Sequence, residues 1–263
     1  MLCSLPMYPY AQHHQQALWC ALREQLLLAG LGDVPNELTQ PSDYLHHWQD
    51  PRLLLSQTCG FPAVSLLAGH VRILGAFHYD APGCDGYRYS SQILIRRDDP
   101  RQRLEDFQNS IAVCSERHSQ SGYHALRSHL VTNTLPQPFF RAVSFSCGHR
   151  HSARQLAEGK ADIAALDSVS AWLLAQEEPE VFARLRPLAQ TAHTPGLPLI
   201  THSTASEDTV ARLRAALITL LDNASVAGLL ADMRITGFTA LNAADYQALR
   251  RDAERNAALL GCW

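Results

Sequence analysis

The sequence predicts an α/β fold in which mostly parallel sheets are flanked by helices. Short apolar runs that indicate buried strands alternate with longer amphipathic stretches that indicate helices, and this alternation is typical of α/β proteins. The chain has 263 residues, of which 46% are hydrophobic. That is enough for one large domain or two moderate lobes with buried cores. No run of about 18 uncharged apolar residues occurs, so we expect no transmembrane helix.

The first part of the chain predicts four strands and one long helix. Apolar residues at helical spacing, with Gly30 as a stop signal, indicate the helix at 10–29. The strands are expected at 2–7, 53–55, 71–79 and 87–96.

The middle of the chain is a succession of strand–helix units. Strands are expected at 111–114, 142–145 and 163–166, and each precedes a helix. The first of these helices begins near Ser119, the second spans 149–158 with Gly159 just after its end, and the third spans 168–176. This order favours parallel strands.

The last part returns to strands at 188–192 and 197–201 and ends in helices. Thr204 and Glu207 fit a capping box that opens the first of these helices. Because the middle block lies between flanking segments that complete a separate sheet, we assign 1–90 and 193–263 to lobe one and 91–192 to lobe two. Two crossings between lobes predict a hinge that closes on a ligand.

Charge and cysteine usage exclude several classes of protein. Lys and Arg number 22 against 25 Asp and Glu, a net charge of -3, so we expect no nucleic-acid partner and no membrane insertion. The seven cysteines include no C-x-x-C pair, which excludes a zinc ribbon or a thioredoxin motif and leaves open whether any pair. Scattered thiols suit a reducing compartment. Residues 1–10 lack the features of a signal peptide.

The segment Ser119-Gln120-Ser121-Gly122-Tyr123 lies between a predicted strand and a predicted helix. Hydroxyls and backbone N–H groups at a helix N-terminus favour an anion. Gly122 allows a ligand to approach the backbone closely. The alternative is that Ser119 is an N-cap without a ligand.

Two further strand ends carry polar residues. His149 follows the strand 142–145 and Asp167 follows the strand 163–166. Ligands of open α/β sheets bind beyond the carboxyl ends of the strands, so we expect both side chains near Ser119. The alternatives are a structural histidine and a helix N-cap.

Several segments occur together in a characteristic order. They are Leu5-Pro6-Met7-Tyr8, Ser56 to Pro62, Tyr87-x-Tyr89-Ser90, Ser119 to Tyr123, Gly148-His149-Arg150, Ala161 to Asp167, Gly237-Phe238 and Asp245-Tyr246. As an ordered set they resemble the phosphate, phosphite and phosphonate substrate-binding proteins of ABC transporters, over nearly the whole chain.

The resemblance implies a type II periplasmic-binding-protein fold of two α/β lobes with the ligand cleft between them. It implies that the chain captures a small oxyanion for import, with an ABC permease as partner, as a monomer, without a cofactor or metal, and without enzymatic activity. The ligand-binding residues that it implies are Tyr8, Gln57, Tyr89, Ser119, Gln120, Ser121, Gly122, His149 and Asp167.

The resemblance is incomplete in two respects. The well-known phosphonate binders favour a hydroxyl residue where this chain has Gln120, so the ligand stays open among phosphonate, phosphite and phosphate. The family implies the periplasm, but the missing signal features leave the cytoplasm open, and with it a ligand sensor of the same fold.

The same polar residues also allow a hydrolase or a metal site to be considered. Ser121, His149 and Asp167 can be drawn as a catalytic triad, but the segment is not G-x-S-x-G and the chain order differs from the known triads. His149 and His151 flank Arg150, and an i, i+2 pair does not share a helix face, which disfavours a metal.

Overall fold

The computed structural model describes residues 1–9 and 12–261. The strands of this part of the chain are β1 (Leu2–Cys3), β2 (Leu53–Gln57), β3 (Val71–Tyr79), β4 (Cys84–Asp85), β5 (Arg88–Tyr89), β6 (Ser91–Arg96), β7 (Ile111–Cys114), β8 (Ala142–Phe145), β9 (Ile163–Asp167), β10 (Leu185–Gln190), β11 (Thr194–Pro195), β12 (Pro198–His202) and β13 (Ile235–Ala240).

The α-helices are α1 (Gln12–Leu28), α2 (Tyr44–Trp48), α3 (Gly60–Val64), α4 (Ala125–Thr132), α5 (His149–Ala157), α6 (Ser168–Glu177), α7 (Pro179–Phe182), α8 (Glu207–Asp222), α9 (Ala227–Asp232) and α10 (Ala243–Leu260). Leu104–Phe107 and Ala224–Val226 form 3₁₀ turns, and Gln120–His124 forms a π-helical turn that leads into α4.

The chain divides into two compact α/β units. The first consists of Met1–Asp80, Asp85–Arg88 and Pro195–Gln247. The second consists of Ala81–Cys84, Tyr89–Thr194 and the chain from Ala248 onward. The short strands β4, β5 and β11 lie where the chain passes from one unit to the other.

The first unit is a five-stranded sheet in the order β1-β2-β12-β3-β13. β1 and β2 are parallel, whereas β12 returns from late in the sequence to pair antiparallel with both β2 and β3. Apolar residues of α1 and α8, including Trp19, Leu22, Leu213 and Leu217, pack with the sheet into one buried core.

The second unit is a five-stranded sheet in the order β10-β6-β9-β7-β8. β7 pairs parallel with both β8 and β9, as the strand–helix units predict, whereas β6 and β10 run antiparallel. Phe107, Leu126, Leu130 and Phe139 fill the core beside the sheet.

The C-terminal helix divides differently from the predicted boundaries, which placed 193–263 in one lobe. The part of α10 from Ala248 onward groups with the second unit. There the buried guanidinium of Arg127 donates hydrogen bonds to the carbonyls of Asn256 and Gly261, at 3.1 and 2.6 Å. These hydrogen bonds tie the end of α10 to α4, the helix that carries Arg127.

The predicted capping box at Thr204 and Glu207 is wrong. Glu207 is the first residue of α8, and Ser206 is the N-cap, whose hydroxyl accepts from the Thr209 N–H at 3.0 Å. The Thr204 hydroxyl lies 2.8 Å from His202 Nδ1 instead. Threonine and serine are both common N-cap residues, so composition alone did not show whether Thr204 or Ser206 caps the helix.

Other element boundaries also differ from the predictions. The first strand ends at Cys3, and the strand expected at 188–192 begins at Leu185. The strand expected at 87–96 is broken at Ser90, whose N–H and hydroxyl both donate to the Gly83 carbonyl. β13 was not predicted, and the start of the first helix, at residue 10, lies outside the described residues.

No single helix of the described part of the chain is long and apolar enough to cross a membrane, although the bent pair α8 and α9 passes by length and composition. Val210, Leu213, Leu217 and Leu220 of α8 are buried in the core of the first unit, whereas Ile218 is exposed.

Candidate functional site

The carboxyl ends of β7, β8 and β9 meet at one edge of the second sheet. Parallel pairing sets Cys114 beside Phe145 and Val113 beside Ala164. The segments that follow these three strands therefore begin at the same edge. This is the position at which open α/β sheets bind ligands.

Three predicted site residues come into direct contact at this edge. His149 Nε2 lies 2.9 Å from Ser121 Oγ and 3.2 Å from Asp167 Oδ2. The side chains of His149 and Asp167 are only 13% and 4% exposed. Each residue comes from a different strand–helix junction, as the sequence predicts.

Asp167 is a buried carboxylate that also caps a helix. Its Oδ1 accepts a hydrogen bond from the Ser170 N–H at 2.8 Å, at the start of α6. Burial alone would raise the pKa of Asp167, but the hydrogen bond and charge of His149, with the hydrogen bonds from Ser170, more than offset this effect and lower the pKa. The carboxyl is therefore ionised, and Asp167 is the N-cap of α6, as the alternative interpretation holds.

The ionised carboxylate determines where the imidazole hydrogen lies. A carboxylate only accepts hydrogen bonds, so His149 Nε2 donates its hydrogen toward Asp167. Ser121 Oγ faces the same N–H, and its own hydroxyl hydrogen points elsewhere. His149 Nδ1 is buried and has no hydrogen-bond partner among the described residues. Ser121 is thus left with a hydroxyl donor for a ligand oxygen.

The same geometry disfavours a hydrolytic triad. A serine hydrolase uses one imidazole nitrogen as the base for serine and holds the other with the carboxylate. Here Ser121 and Asp167 both contact Nε2. The nitrogen that would accept the serine proton already carries a hydrogen and faces the carboxylate.

Ser119 has a structural role at the start of the π-helical turn. Its hydroxyl accepts from the Gly122 N–H at 3.0 Å and lies 3.1 Å from Ser115 Oγ. Ser119 is therefore an N-cap, as the alternative interpretation holds. The cap fixes the start of the helix that carries Ser121.

Gly122 packs against protein at the position where a side chain would begin. A Cβ atom at Gly122 would lie 1.9 Å from Ser115 Oγ. Glycine is required here by the close approach of the two segments. Ser115 was not predicted, although it directly follows β7 and so lies at the same end of the sheet as the candidate site.

Gln120 and Tyr89 are both buried in the second unit, at 4% exposure each. Ser90, next to Tyr89, accepts hydrogen bonds at its carbonyl from the N–H and the hydroxyl of Ser168, each at 3.0 Å. Tyr89 is therefore next in sequence to Ser90, which is hydrogen-bonded to the first residue of α6, and that residue directly follows Asp167.

Tyr8 and Gln57 belong to the first unit. Gln57 ends β2 and is 3% exposed, and the Tyr8 ring packs edge-on against Tyr79 at 5.5 Å. β12 lies antiparallel between β2 and β3, so these two strands run in the same direction, and the register sets Gln57 level with Gly75 of β3.

Sequence reasoning missed two buried hydroxyl groups, each of which follows a strand that ends in a predicted site residue. Thr58, directly after β2, and Ser170, the residue that binds Asp167 through its N–H, are each 0% exposed. Neither hydroxyl has a hydrogen-bond partner among the described residues. The position of Ser170 three residues after an N-cap aspartate was the available signal. The described residues also hold no group of three or more side chains suited to a metal ion.

A family described as the phosphonate periplasmic substrate-binding protein of ABC transporters matches residues 53–246. No curated protein is similar enough in sequence to count as a relative.

Solved structures show the same fold at low sequence identity. A binding protein component of an ABC phosphonate transporter, PA3383 of Pseudomonas aeruginosa, is 18% identical with a TM-score of 0.79, covering 98% of this chain and 88% of that one. PhnD1 of Prochlorococcus marinus, in complex with methylphosphonate, is 13% identical with a TM-score of 0.77, covering 97% of both chains. XAC2383 of Xanthomonas citri, bound to ATP, is 17% identical with a TM-score of 0.74, covering 98% of both.

Proposed function

Because the chain belongs to the family of periplasmic substrate-binding proteins of phosphonate ABC transporters, we propose that it captures a small, protonatable oxyanion at Ser121, His149 and Asp167. The single observation that supports this site is the meeting of all three side chains at His149 Nε2. A hydroxyl donor, an imidazole and a buried carboxylate lie together where three parallel strands end.

The buried carboxylate restricts the charge of the ligand. A fully ionised oxyanion about 5 Å from Asp167 would be repelled by roughly 3 kcal/mol per unit charge at an effective dielectric constant of about 20. A ligand that carries a hydrogen turns this repulsion into a hydrogen bond to Asp167. Phosphonate, phosphite and phosphate can each keep a hydrogen near neutral pH, whereas sulfate cannot.

The other residues implied by the resemblance remain proposed ligand contacts. Tyr8 and Gln57 are candidates on the first unit, and Tyr89, Gln120 and Gly122 on the second. Ser119 contributes indirectly in this proposal, because its hydroxyl already caps the helix that presents Ser121.

We further propose that the protein binds its ligand without chemical conversion, as a monomer that delivers the ligand to a permease. The family supports a small ligand and a permease as partners. The sharing of one imidazole nitrogen supports binding over hydrolysis.

Calorimetric titration with methylphosphonate, phosphite, phosphate and sulfate tests the proposal. We expect at least one of the three protonatable anions to bind with micromolar affinity or better, and sulfate to bind at least tenfold more weakly. Sulfate binding as tightly as the best of the others would contradict the role of Asp167. If none of the four binds, the oxyanion proposal fails.

A further inference from the structure

A cavity lies on the second unit at the end of the sheet opposite the candidate site. Its volume is about 290 Å³, and it is lined by Arg96, Arg97, Asp98, Ala157, Ala183 and Arg184. Three of these six residues are arginines, which gives the lining an excess of positive charge.

The strand register places the cavity away from Asp167. β6 begins at Ser91, which pairs with Asp167, and it ends at Arg96, which pairs with Leu185 of β10. Five residues of strand span about 17 Å. A molecule in this cavity is therefore separated from Ser121 and His149 by the length of a strand.

The three guanidinium groups differ in how many of their donors are occupied. Arg96 donates to the Ala161 carbonyl at 2.7 Å and lies within 4 Å of Asp98, Asp99 and Asp162. Its charge is already balanced.

Arg97 and Arg184 keep donors for a ligand. Arg97 uses Nε to donate to the Ala183 carbonyl at 2.7 Å, which holds its guanidinium at the cavity. The Arg184 side chain donates no hydrogen bond to the described residues, and its charge acts on the nearby Glu158 carboxylate, whose pKa is lowered by Lys160 first and then by Arg184 and Arg154. Glu158, a carboxylate of the same region, is paired with Lys160 at 2.7 Å.

We propose that this cavity binds a small molecule that carries two or more phosphate or carboxylate groups. A guanidinium presents parallel N–H donors that match the oxygens of either group. The guanidinium groups of Arg97 and Arg184 line the cavity together with Ala157 and Ala183, whose small side chains leave room for a compact polyanion. The volume lies just below the usual range for small-molecule sites, about 300–1,000 Å³, so the ligand must be small.

Calorimetry at low ionic strength, with pyrophosphate and citrate as separate probes, tests the inference. R184Q removes a proposed ligand contact, and A183L fills the cavity at an exposed position without changing charge. R141Q is the matched control, because Arg141 is exposed on the same unit and does not line the cavity. S121A reports on binding at the candidate oxyanion site.

We expect R184Q and A183L each to weaken the binding of at least one probe tenfold or more, whereas R141Q and S121A change it by less than threefold. Binding of pyrophosphate alone would identify phosphate groups as the ligand chemistry, and binding of citrate alone would identify carboxylates. The inference is overturned if neither probe binds, if all four variants bind like the wild type, or if S121A alone loses binding.

Discussion

At the scale of single residues, Ser119 and Ser121 offer the same hydroxyl but have different partners. Ser119 Oγ is occupied by the Gly122 N–H, whereas the hydroxyl hydrogen of Ser121 is available. We predict that S121A weakens oxyanion binding about tenfold to a hundredfold, because a hydrogen bond to a charged group contributes about 1.5–3 kcal/mol.

S119A is the matched comparison. Loss of an N-cap costs about 1 kcal/mol of stability. S119A should therefore lower the free energy of unfolding in urea more than S121A does, and reduce affinity less. The reverse ranking in the two measurements would assign the ligand to Ser119.

Asp167 supplies the second prediction at this scale, which concerns protons. Above the second ionisation of the ligand, near pH 6 for a phosphate ester, a dianion must gain a proton to bind beside the carboxylate. Proton uptake should accompany binding above neutral pH, and affinity should fall as pH rises. Calorimetry in buffers of different ionisation enthalpy counts the protons.

D167N provides the control, since asparagine can still accept from the Ser170 N–H but carries no charge. We expect D167N to take up fewer protons and to discriminate less against sulfate. H149Q separates the contribution of the imidazole. Equal proton uptake by the wild type and both variants would mean that neither residue determines the protonation state of the bound ligand.

At the scale of elements, the start of the helix that carries Ser121 depends on the packing of Gly122 against Ser115. A Cβ at this position would lie 1.9 Å from Ser115 Oγ. We predict that G122A lowers the free energy of unfolding by about 1–3 kcal/mol, as overpacking usually does. Urea denaturation measures the change.

The double variant S115A/G122A tests the cause. Removing Ser115 Oγ relieves the closest contact and leaves Cβ as the nearest atom, at 3.1 Å. Part of the lost stability should return. If G122A alone is as stable as the wild type, the two segments are not packed as described.

The same turn ends in His124, a buried histidine whose pKa is lowered to about 3 by burial first and then by Arg127 and His118. Between this pKa and the ordinary value of about 6.5, the unfolded chain binds a proton that the folded chain does not. Stability should therefore fall as pH falls from 6.5 toward 3, by on the order of 4 kcal/mol for this group.

Urea denaturation over this pH range checks the effect. The informative quantity is the slope of the free energy of unfolding against pH. H124Q should flatten the slope, whereas H70Q, which changes an exposed histidine, should leave it unaltered. A slope that is the same in H124Q and the wild type would show that His124 is protonated in the folded protein.

Local patterns predicted the elements that form from neighbouring sequence. The strand–helix units of the second sheet were found because each apolar run is followed by a helical signal, such as the N-cap candidates Ser119 and Asp167 or the stop signal Gly159. The pairing of β12 between β2 and β3 was not, since it joins segments more than a hundred residues apart. Whether Thr204 or Ser206 caps α8 depends on hydrogen-bond geometry, which the composition of the segment does not reveal.

At the scale of the whole molecule, the sequence placed Ser121, His149 and Asp167 at one sheet edge because parallel strands align their carboxyl ends. It did not predict that Ser121 and Asp167 share one imidazole nitrogen, since that depends on side-chain rotamers. The order of the motifs nevertheless identified the family over most of the chain, because the order reflects a common topology rather than any single residue.

A crystal structure of the protein grown with methylphosphonate tests the central claim most directly. We predict a phosphonate oxygen within hydrogen-bonding distance of Ser121 Oγ, with His149 and Asp167 in contact with the same group. A bound phosphonate that touches none of these three side chains would contradict the account, and the site would then have to be sought elsewhere in the molecule.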